Sequence, residues 1–360
     1  MAPRPIRQAV RGAVRFALAR PRLRAVVEAE LRPPRPAPLP PPAPMPEAFV
    51  DRHGVSHPLD PRHRDRLKPD WRSMLDPEAA ARPPTDEALA GRVTRAERIV
   101  DEALALVESA SGGSLEGPIL EVGCYDGSVA FRLAAVTGAR VVASDMARYY
   151  VVQRPGEPDD EQVADQQVAL ATLRERMRQA SGAAPGAVEF VEDDITVSVL
   201  EDGSCGSIVS FEVLEHLADP AAAFAAMHRI LRPGGVGYHL YNPYLSINGG
   251  HSLGTLDFPW GHARLDPGDL ERYVHEIRPD AATQTLRFLR ESVNRMTLAD
   301  LRTAIEAGGL ELLACVPWAD RGLAPQLAGG VLAAVRETYP SATTEDLLAT
   351  FVAVVVRRPA

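Results

Sequence analysis

Ile119-Leu120-Glu121-Val122-Gly123-Cys124-Tyr125-Asp126-Gly127-Ser128 decides how the rest of the chain is read. An apolar run ends in a carboxylate and then enters a turn with glycine at 123 and 127. The segment Val129-Ala130-Phe131-Arg132-Leu133 follows with a helix-like pattern. The order is strand, tight turn, helix. Glycine lets backbone pass close to a ligand with no Cβ in the way. A turn of this kind at the carboxyl end of the first strand of an α/β sheet is where a nucleotide-like cofactor sits.

Outward from this turn, apolar strand-length runs alternate with helical patterns. Strands are predicted at 118–122, 140–144, 187–191, 206–211 and 236–241, and helices at 128–137, 161–179 and 219–231. Such alternation implies a parallel, doubly wound sheet with right-handed crossovers. Upstream, Leu89, Val93, Ile99, Val100, Leu104 and Val107 keep helical phase, which predicts a helix over 86–107. Downstream come a polar, aromatic-containing insert (243–290), a helix around Thr297–Ala307, and strands at 310–316 and 350–357. The chain divides into a basic amphipathic arm (1–32), a proline-rich linker with an irregular segment of loops and short helices (33–85), and a domain over 86–360 that contains the insert.

Asp145 ends the second strand, eighteen residues after Gly127, where a carboxylate can accept from ribose hydroxyls. A nicotinamide enzyme would show G-x-G-x-x-G, since a pyrophosphate needs several close backbone N–H groups. Tyr125 breaks that fingerprint. Two later segments, Val209-Ser210-Phe211-Glu212-Val213-Leu214-Glu215-His216-Leu217 and Arg229-Ile230-Leu231-Arg232-Pro233-Gly234-Gly235, complete an ordered set of motifs. Together with the first turn and Asp145, they resemble class I S-adenosylmethionine-dependent methyltransferases of the type 11 kind. The resemblance covers 117–243 strongly and 295–357 weakly.

This resemblance implies an α/β fold: a Rossmann-like, doubly wound, seven-stranded sheet with a reversed hairpin at its C-terminal edge. It implies S-adenosylmethionine as cofactor. By position, Glu121, Gly123, Cys124, Tyr125 and Gly127 would shape the methionine side. Asp145 would take the ribose hydroxyls, with Met146 beside the adenine. Asp194-Ile195 matches the pair whose carboxylate accepts from the adenine amino group; a solvated turn is the competing reading for Asp193 and Asp194. Phe211 and Glu212 would line the floor below the sulfonium. The chain departs from the pattern at Tyr125, where a glycine is usual, and at Gly206, where an aspartate often opens the fourth strand.

Methyl transfer to oxygen needs a group that takes the acceptor's proton, and a positioned base contributes roughly 10²–10⁴-fold. His216, His251, His262 and His275 are candidates. Glu212-x-x-Glu215-His216 resembles the metal-binding E-x-x-E-H of small-RNA 2′-O-methyltransferases and ubiquinone-pathway O-methyltransferases. That implies a site for Mg²⁺ or another divalent cation at Glu212, Glu215 and His216, completed by His262 or His251, which would lower the acceptor hydroxyl's pKa. The reading without metal keeps His216 as the base, with Glu215 and His262 as further catalytic candidates. The insert runs Asn242-Pro243-Tyr244-Leu245-Ser246-Ile247-Asn248-Gly249-Gly250-His251 and on to Asp257-Phe258-Pro259-Trp260-Gly261-His262. It follows the fifth strand, at the sheet edge where acceptors bind. Its Trp, Tyr, His and Asn content suits a small-molecule or glycan hydroxyl; a loop packed on the core is the competing reading.

The net charge of −9 hides an asymmetry: residues 1–36 carry nine arginines against Glu28 and Glu30, about +7, which leaves about −16 on the rest. An acidic body argues against a nucleic-acid acceptor. Arg4, Arg7, Arg11 and Arg15 lie opposite Ile6, Val10 and Val14 at helical spacing, so the arm reads either as a peripheral membrane contact or as a solvated tail. Three scattered cysteines, no h-region after the arginines and no serine before Ser56 fit a reduced, cytoplasmic setting, with or without that membrane contact. The expected activity is O-methylation of a small polar, sugar-like or natural-product acceptor. The rival readings are a metal-assisted RNA 2′-O-methyltransferase, a cofactor-binding scaffold without catalysis, and, more distantly, a nicotinamide oxidoreductase.

Overall fold

The computed structural model describes residues 45–69, 71–75, 83–152, 159–327 and 330–360. The basic arm and nearly all of the polyproline stretch lie outside the described residues.

Seven strands form the main sheet: β1 (Ile119–Val122), β2 (Val141–Asp145), β3 (Val188–Glu192), β4 (Cys205–Phe211), β5 (Leu231–Tyr241), β6 (Glu311–Ala319) and β7 (Ala349–Arg357). Their order is β3-β2-β1-β4-β5-β7-β6. Only β7 runs against its neighbours, and it lies between β5 and β6. The winding reverses between β1 and β4, which opens a crevice at their carboxyl ends. All four residues of β1 are buried, as expected of a parallel strand covered on both faces. This is the Rossmann-like class I methyltransferase fold that the motifs implied.

The crossovers are α1 (Asp86–Ser111) before β1, α2 (Ser128–Thr137), α3 (Ala147–Val152) with α4 (Asp160–Ser181), and α5 (Pro220–Ile230). Local chemistry sets their ends. Thr85 caps α1 by accepting from Ala88 N at 3.2 Å, and Gly112 closes it at φ 72°. Asp219 caps α5 ahead of Pro220, a residue suited to a first helical turn. One sheet face packs on α1 and α2 through Ile99, Val100, Val107 and Leu133; the other packs on α5 through Phe224, Met227 and Ile230. Gly206 has a steric reason for departing from the family pattern: a Cβ there would lie 2.5 Å from the carbonyl oxygen of Glu116. Strand β5 starts five residues before its predicted position, because Arg232-Pro233-Gly234-Gly235 continues the strand through a shift in its pairing with β4.

The insert, for which the sequence suggested no helices, is helical, with short turns at His251–Gly254 and Gly261–Arg264, then α6 (Pro267–Ile277) and α7 (Ala282–Glu291). Its aromatic residues build a second core. Trp260, Tyr244 and Tyr273 are buried there with Phe49. The indole of Trp260 donates to Leu347 O at 3.0 Å, and the Tyr273 hydroxyl donates to Asp257 at 2.7 Å. The upstream segment completes this core with a hairpin, Ala48–Val50 paired with Ser56–Pro58, and a short helix, His63–Leu67. The compact unit therefore runs from Ala43 to Ala360 and includes residues ahead of the domain start expected at Asp86. Helix α8 (Leu298–Ala307), capped by Thr297 and Asp300, follows the insert and packs on α5.

Candidate active site

The crevice between β1 and β4 is a cleft. Gly123, Asp145, Met146, Asp194, Ile195, Glu212 and His216 line it, all of them candidates from the sequence; Tyr149, Tyr150, Asp193 and Val213 line it as well. Backbone geometry makes the floor. Gly123 sits at φ 72°, and a Cβ there would meet Val213 Cγ2 at 2.3 Å, so a side chain at 123 would collide with the wall. Gly123 N and Cys124 N both donate to Ser144 O, which ties the turn to β2. Tyr125 adopts φ 43°, a left-handed conformation more usual for glycine. The fold thus keeps the glycine backbone at this position and pays for the side chain in strain. The ring is 39% exposed and lies 5.2 Å from the Tyr150 ring, so it stands at the rim and not in the cleft.

Other predicted cofactor residues support the cleft from beneath. Glu121 is buried, its Oε2 has no hydrogen-bond partner, and burial pushes its carboxyl well up. Cys124 is also buried, and burial raises its thiol. A Cβ on Gly127 would strike Phe190. Phe211 packs on Tyr238, ring centres 5.5 Å apart.

Asp145 is fully engaged. It accepts from Met146 N at 2.7 Å, from Tyr125 N, and from the Tyr150 hydroxyl at 3.0 and 3.2 Å; Arg174 lies 3.6 Å away. Burial raises its carboxyl above the usual range. The phenol of Tyr150 therefore holds the lone pairs that a ribose would need. Tyr150→Phe is expected to tighten the binding of S-adenosylhomocysteine by about tenfold or more, the worth of one hydrogen bond to a carboxylate. Isothermal titration of both proteins checks this, and weaker binding by the variant would show that the phenol helps to hold the ligand.

At the end of β4 the structure regroups the E-x-x-E-H residues. Glu212 takes φ 59° and pairs with Arg95 at 2.8 Å, on the exposed side. His262 is buried in the second core, where it donates to Tyr244 O at 2.8 Å. Neither joins the metal-capable group among the described residues, which is Glu215, His216 and His251, with one donor atom from each within 4.8 Å of the others. His275 is exposed on α6. The expected ligand set of Glu212, Glu215, His216 and His262 is thus not assembled: the Glu212 carboxylate pairs with Arg95, and the Tyr244 carbonyl occupies His262.

The segment after α7 holds this region in place. Asn294 donates from Nδ2 to Leu214 O at 2.6 Å and Leu217 O at 3.0 Å, and from its backbone to Glu215 O. His216 gives Nδ1–H to Ser292 O at 2.5 Å; a carbonyl only accepts, so Nε2 keeps its lone pair. The His216 ring lies 4.9 Å from the His251 ring and 5.2 Å from Tyr149. Burial pulls His216 down to about 4 and His251 well below its usual value, so both are neutral at pH 7. Burial pushes Glu215 up to about 8; its Oε1 accepts from Asn242 N at 3.0 Å, and its Oε2 has no partner. Sequence reasoning missed Tyr149 and Tyr150, although both follow Asp145 closely enough to return to its end of the sheet.

Residues 120–238 match the family described as "Methyltransferase domain". The chain carries the domain of an S-adenosylmethionine-dependent methyltransferase. A 49-residue stretch is 51% identical to an uncharacterized 37.1 kDa protein in transposon TN4556 of Streptomyces fradiae, an alignment that spans 14% of each chain. Solved structures similar to this chain include phosphoethanolamine N-methyltransferase 2 of Haemonchus contortus in complex with S-adenosyl-L-methionine, at 13% identity and TM-score 0.43, over 81% of this chain and 60% of that one. A geranyl diphosphate methyltransferase in complex with its methyl donor is 15% identical at TM-score 0.41, over 79% and 95%. An S-adenosylmethionine-dependent methyltransferase of Mesorhizobium loti is 15% identical at TM-score 0.38, over 67% and 90%. Among the described residues, no helix of the methyltransferase domain or its extensions is long and apolar enough to cross a membrane.

Proposed function

We propose that the protein methylates a hydroxyl of a small polar, sugar-like or natural-product acceptor, with His216 as the base. One observation carries the reading: on the wall of the cleft that Gly123 and Asp145 also line, His216 has Nδ1 committed to Ser292 O and its Nε2 lone pair free. The cleft suits the cofactor, since it offers a side-chain-free floor at Gly123 and carboxylates at its far wall. When bound, S-adenosylmethionine supplies an electrophilic methyl group. His216 takes the hydroxyl proton at Nε2 as the C–O bond forms and the C–S bond breaks. The buried walls keep competing water out. Glu215 Oε2 and His251 Nε2, both buried without partners, suit an acceptor rich in hydroxyls. The acidic body favours such an acceptor over RNA, and its setting is read as cytoplasmic, with the basic arm available for an anionic membrane.

A second reading rests on the same three donors. Glu215, His216 and His251 could hold a divalent cation, and an O,N,N set suits Mn²⁺ or Zn²⁺ better than Mg²⁺. The cation would orient the acceptor oxygen and acidify it. The test is methyl transfer by the full chain to a panel of polyols, glycosides and phenols, with EDTA or with added Mn²⁺, followed by NMR of the labelled methyl group. An O–CH₃ product insensitive to EDTA supports the base; an EDTA-abolished reaction restored by Mn²⁺ supports the cation. An N- or C-methyl product overturns both.

A further inference from the structure

Of the 39 lysine and arginine residues in this chain, 38 are arginine and one is lysine, Lys68. It follows the short helix His63–Leu67 of the upstream segment, and that segment is anchored to the turn that carries His251. Arg64 donates from Nε to Ser252 O at 2.9 Å, and its guanidinium stacks on the Trp71 ring at 3.7 Å. Between these two residues the Lys68 backbone is held on both sides: its N–H donates to Arg64 O at 2.8 Å, and its carbonyl accepts from Trp71 N at 3.1 Å. The side chain is half-buried. Its charge is felt by Glu212, Glu215, His216, His251 and His262, the residues at the end of β4 and their partners in the insert.

Among the described residues none of these groups pairs with it. Glu212 is taken by Arg95 at 2.8 Å, Glu215 Oε1 accepts from Asn242 N at 3.0 Å, and Glu215 Oε2 has no partner. His216 and His262 are committed to the carbonyls of Ser292 and Tyr244. A half-buried cation without a counter-ion is costly. Lysine also differs from arginine in kind: its ammonium is a compact point charge on a flexible stem, and guanidinium is a wide planar fork. We infer that Lys68 is a specificity residue of the acceptor side, whose ammonium pairs with a carboxylate or phosphate group that the acceptor carries beside its reacting hydroxyl. The inference rests on the reading of His216 as the base for that hydroxyl. It narrows the acceptor to an anionic hydroxy compound, and it gives the upstream segment a part in the site as well as in the second core.

The chain's single lysine makes the test specific. The full chain, labelled with ¹³Cε-lysine and held with S-adenosylhomocysteine, gives one lysine side-chain NMR signal. That signal is expected to move saturably with acetate or with inorganic phosphate, and not with chloride at equal ionic strength. Saturation by acetate alone identifies the acceptor's group as a carboxylate, and saturation by phosphate alone as a phosphate. A signal that no anion moves, or that chloride moves equally, overturns the inference. In methyl transfer, glucuronate and glucose 6-phosphate are compared with methyl glucoside, and 4-hydroxybenzoate with 4-hydroxybenzamide. Wild type is expected to favour an anionic member in kcat/KM by about tenfold or more, the worth of one charge-assisted hydrogen bond. Lys68→Met, with its fold checked by circular dichroism, is expected to lose that preference; Lys68→Gln replaces it if the methionine form does not fold. A preference that survives in the variant overturns the inference. The NMR result needs no turnover, so transfer to nitrogen or carbon would reject the hydroxyl reading while leaving the anion site standing.

Discussion

Replacing His216 with asparagine is expected to lower kcat by roughly 10²–10⁴-fold, the range associated with loss of a positioned base. The choice of asparagine matters. Its Nδ2 stands near the position of the imidazole Nδ1, so the donation to Ser292 O can persist while the basic nitrogen is gone. The affinity for S-adenosylhomocysteine is expected to stay within about threefold, since an interaction made chiefly in the transition state affects kcat and not binding. Steady-state kinetics on an accepted hydroxyl, paired with titration of the product cofactor, separates the two quantities. A variant that keeps more than about a tenth of wild-type kcat would remove His216 from the chemistry. Wild-type rate is expected to be flat from about pH 6 upward on this limb, since burial holds the imidazole near 4 and it is already unprotonated there.

The second large effect is on stability. Burial lowers His63, His216 and His262 to about 4 and His239 to about 3, and takes His251 well below its usual value. Unfolded histidine titrates near 6.5. The sign follows directly: between these values the unfolded chain binds protons that the folded chain refuses, so stability is full above about pH 6.5 and falls as pH drops toward 4. Each of the histidines held near 3 or 4 costs about 2 kcal/mol between pH 7 and 5. Glu121 and Glu215 act in opposition, because burial raises both; their contribution is present at low pH and fades as pH rises through the folded value, about 8 for Glu215. The histidines outnumber them, so a net loss of stability is expected from pH 7 to pH 5. Urea unfolding at pH 7, 6 and 5 measures it. A midpoint that does not move would mean that these rings find protons or solvent in the folded state. His239 is a clean probe, since it is wholly buried on β5 against Ser210 of β4 and does not line the cleft. His239→Gln is expected to reduce the slope by about one proton.

Much of this architecture was legible in the sequence because periodicity and caps reinforced one another. Strands β1 to β4 were read to within one residue, each an apolar run bounded by a turn. The hairpin at Ala48–Val50 and Ser56–Pro58 was not legible: three-residue strands are too short to show alternation, and their stability comes from a core far along the chain. The insert misled for a related reason. Tyr244, Trp260 and His262 have the composition of an acceptor pocket, but buried aromatic residues with satisfied polar tips look the same in one dimension. The helix start at Asp266-Pro267 carried a readable cap that the aromatic content overshadowed. At the site, residue types were easier to read than directions. E-x-x-E-H marked the right strand end, yet positive φ at Glu212 aims one carboxylate at Arg95, and His251, not His262, lies beside His216. The contact between Tyr150 and Asp145 has no signature beyond short spacing.

The second core also sets a schedule for the nascent chain. Arg52 N bonds to Asp269, 217 residues downstream, and Arg64 reaches the Ser252 carbonyl across 188. At about 5–20 residues per second the hairpin waits roughly 10–40 s on the ribosome before its partners exist. Throughout that interval Phe49 and its neighbours have no surface to bury against.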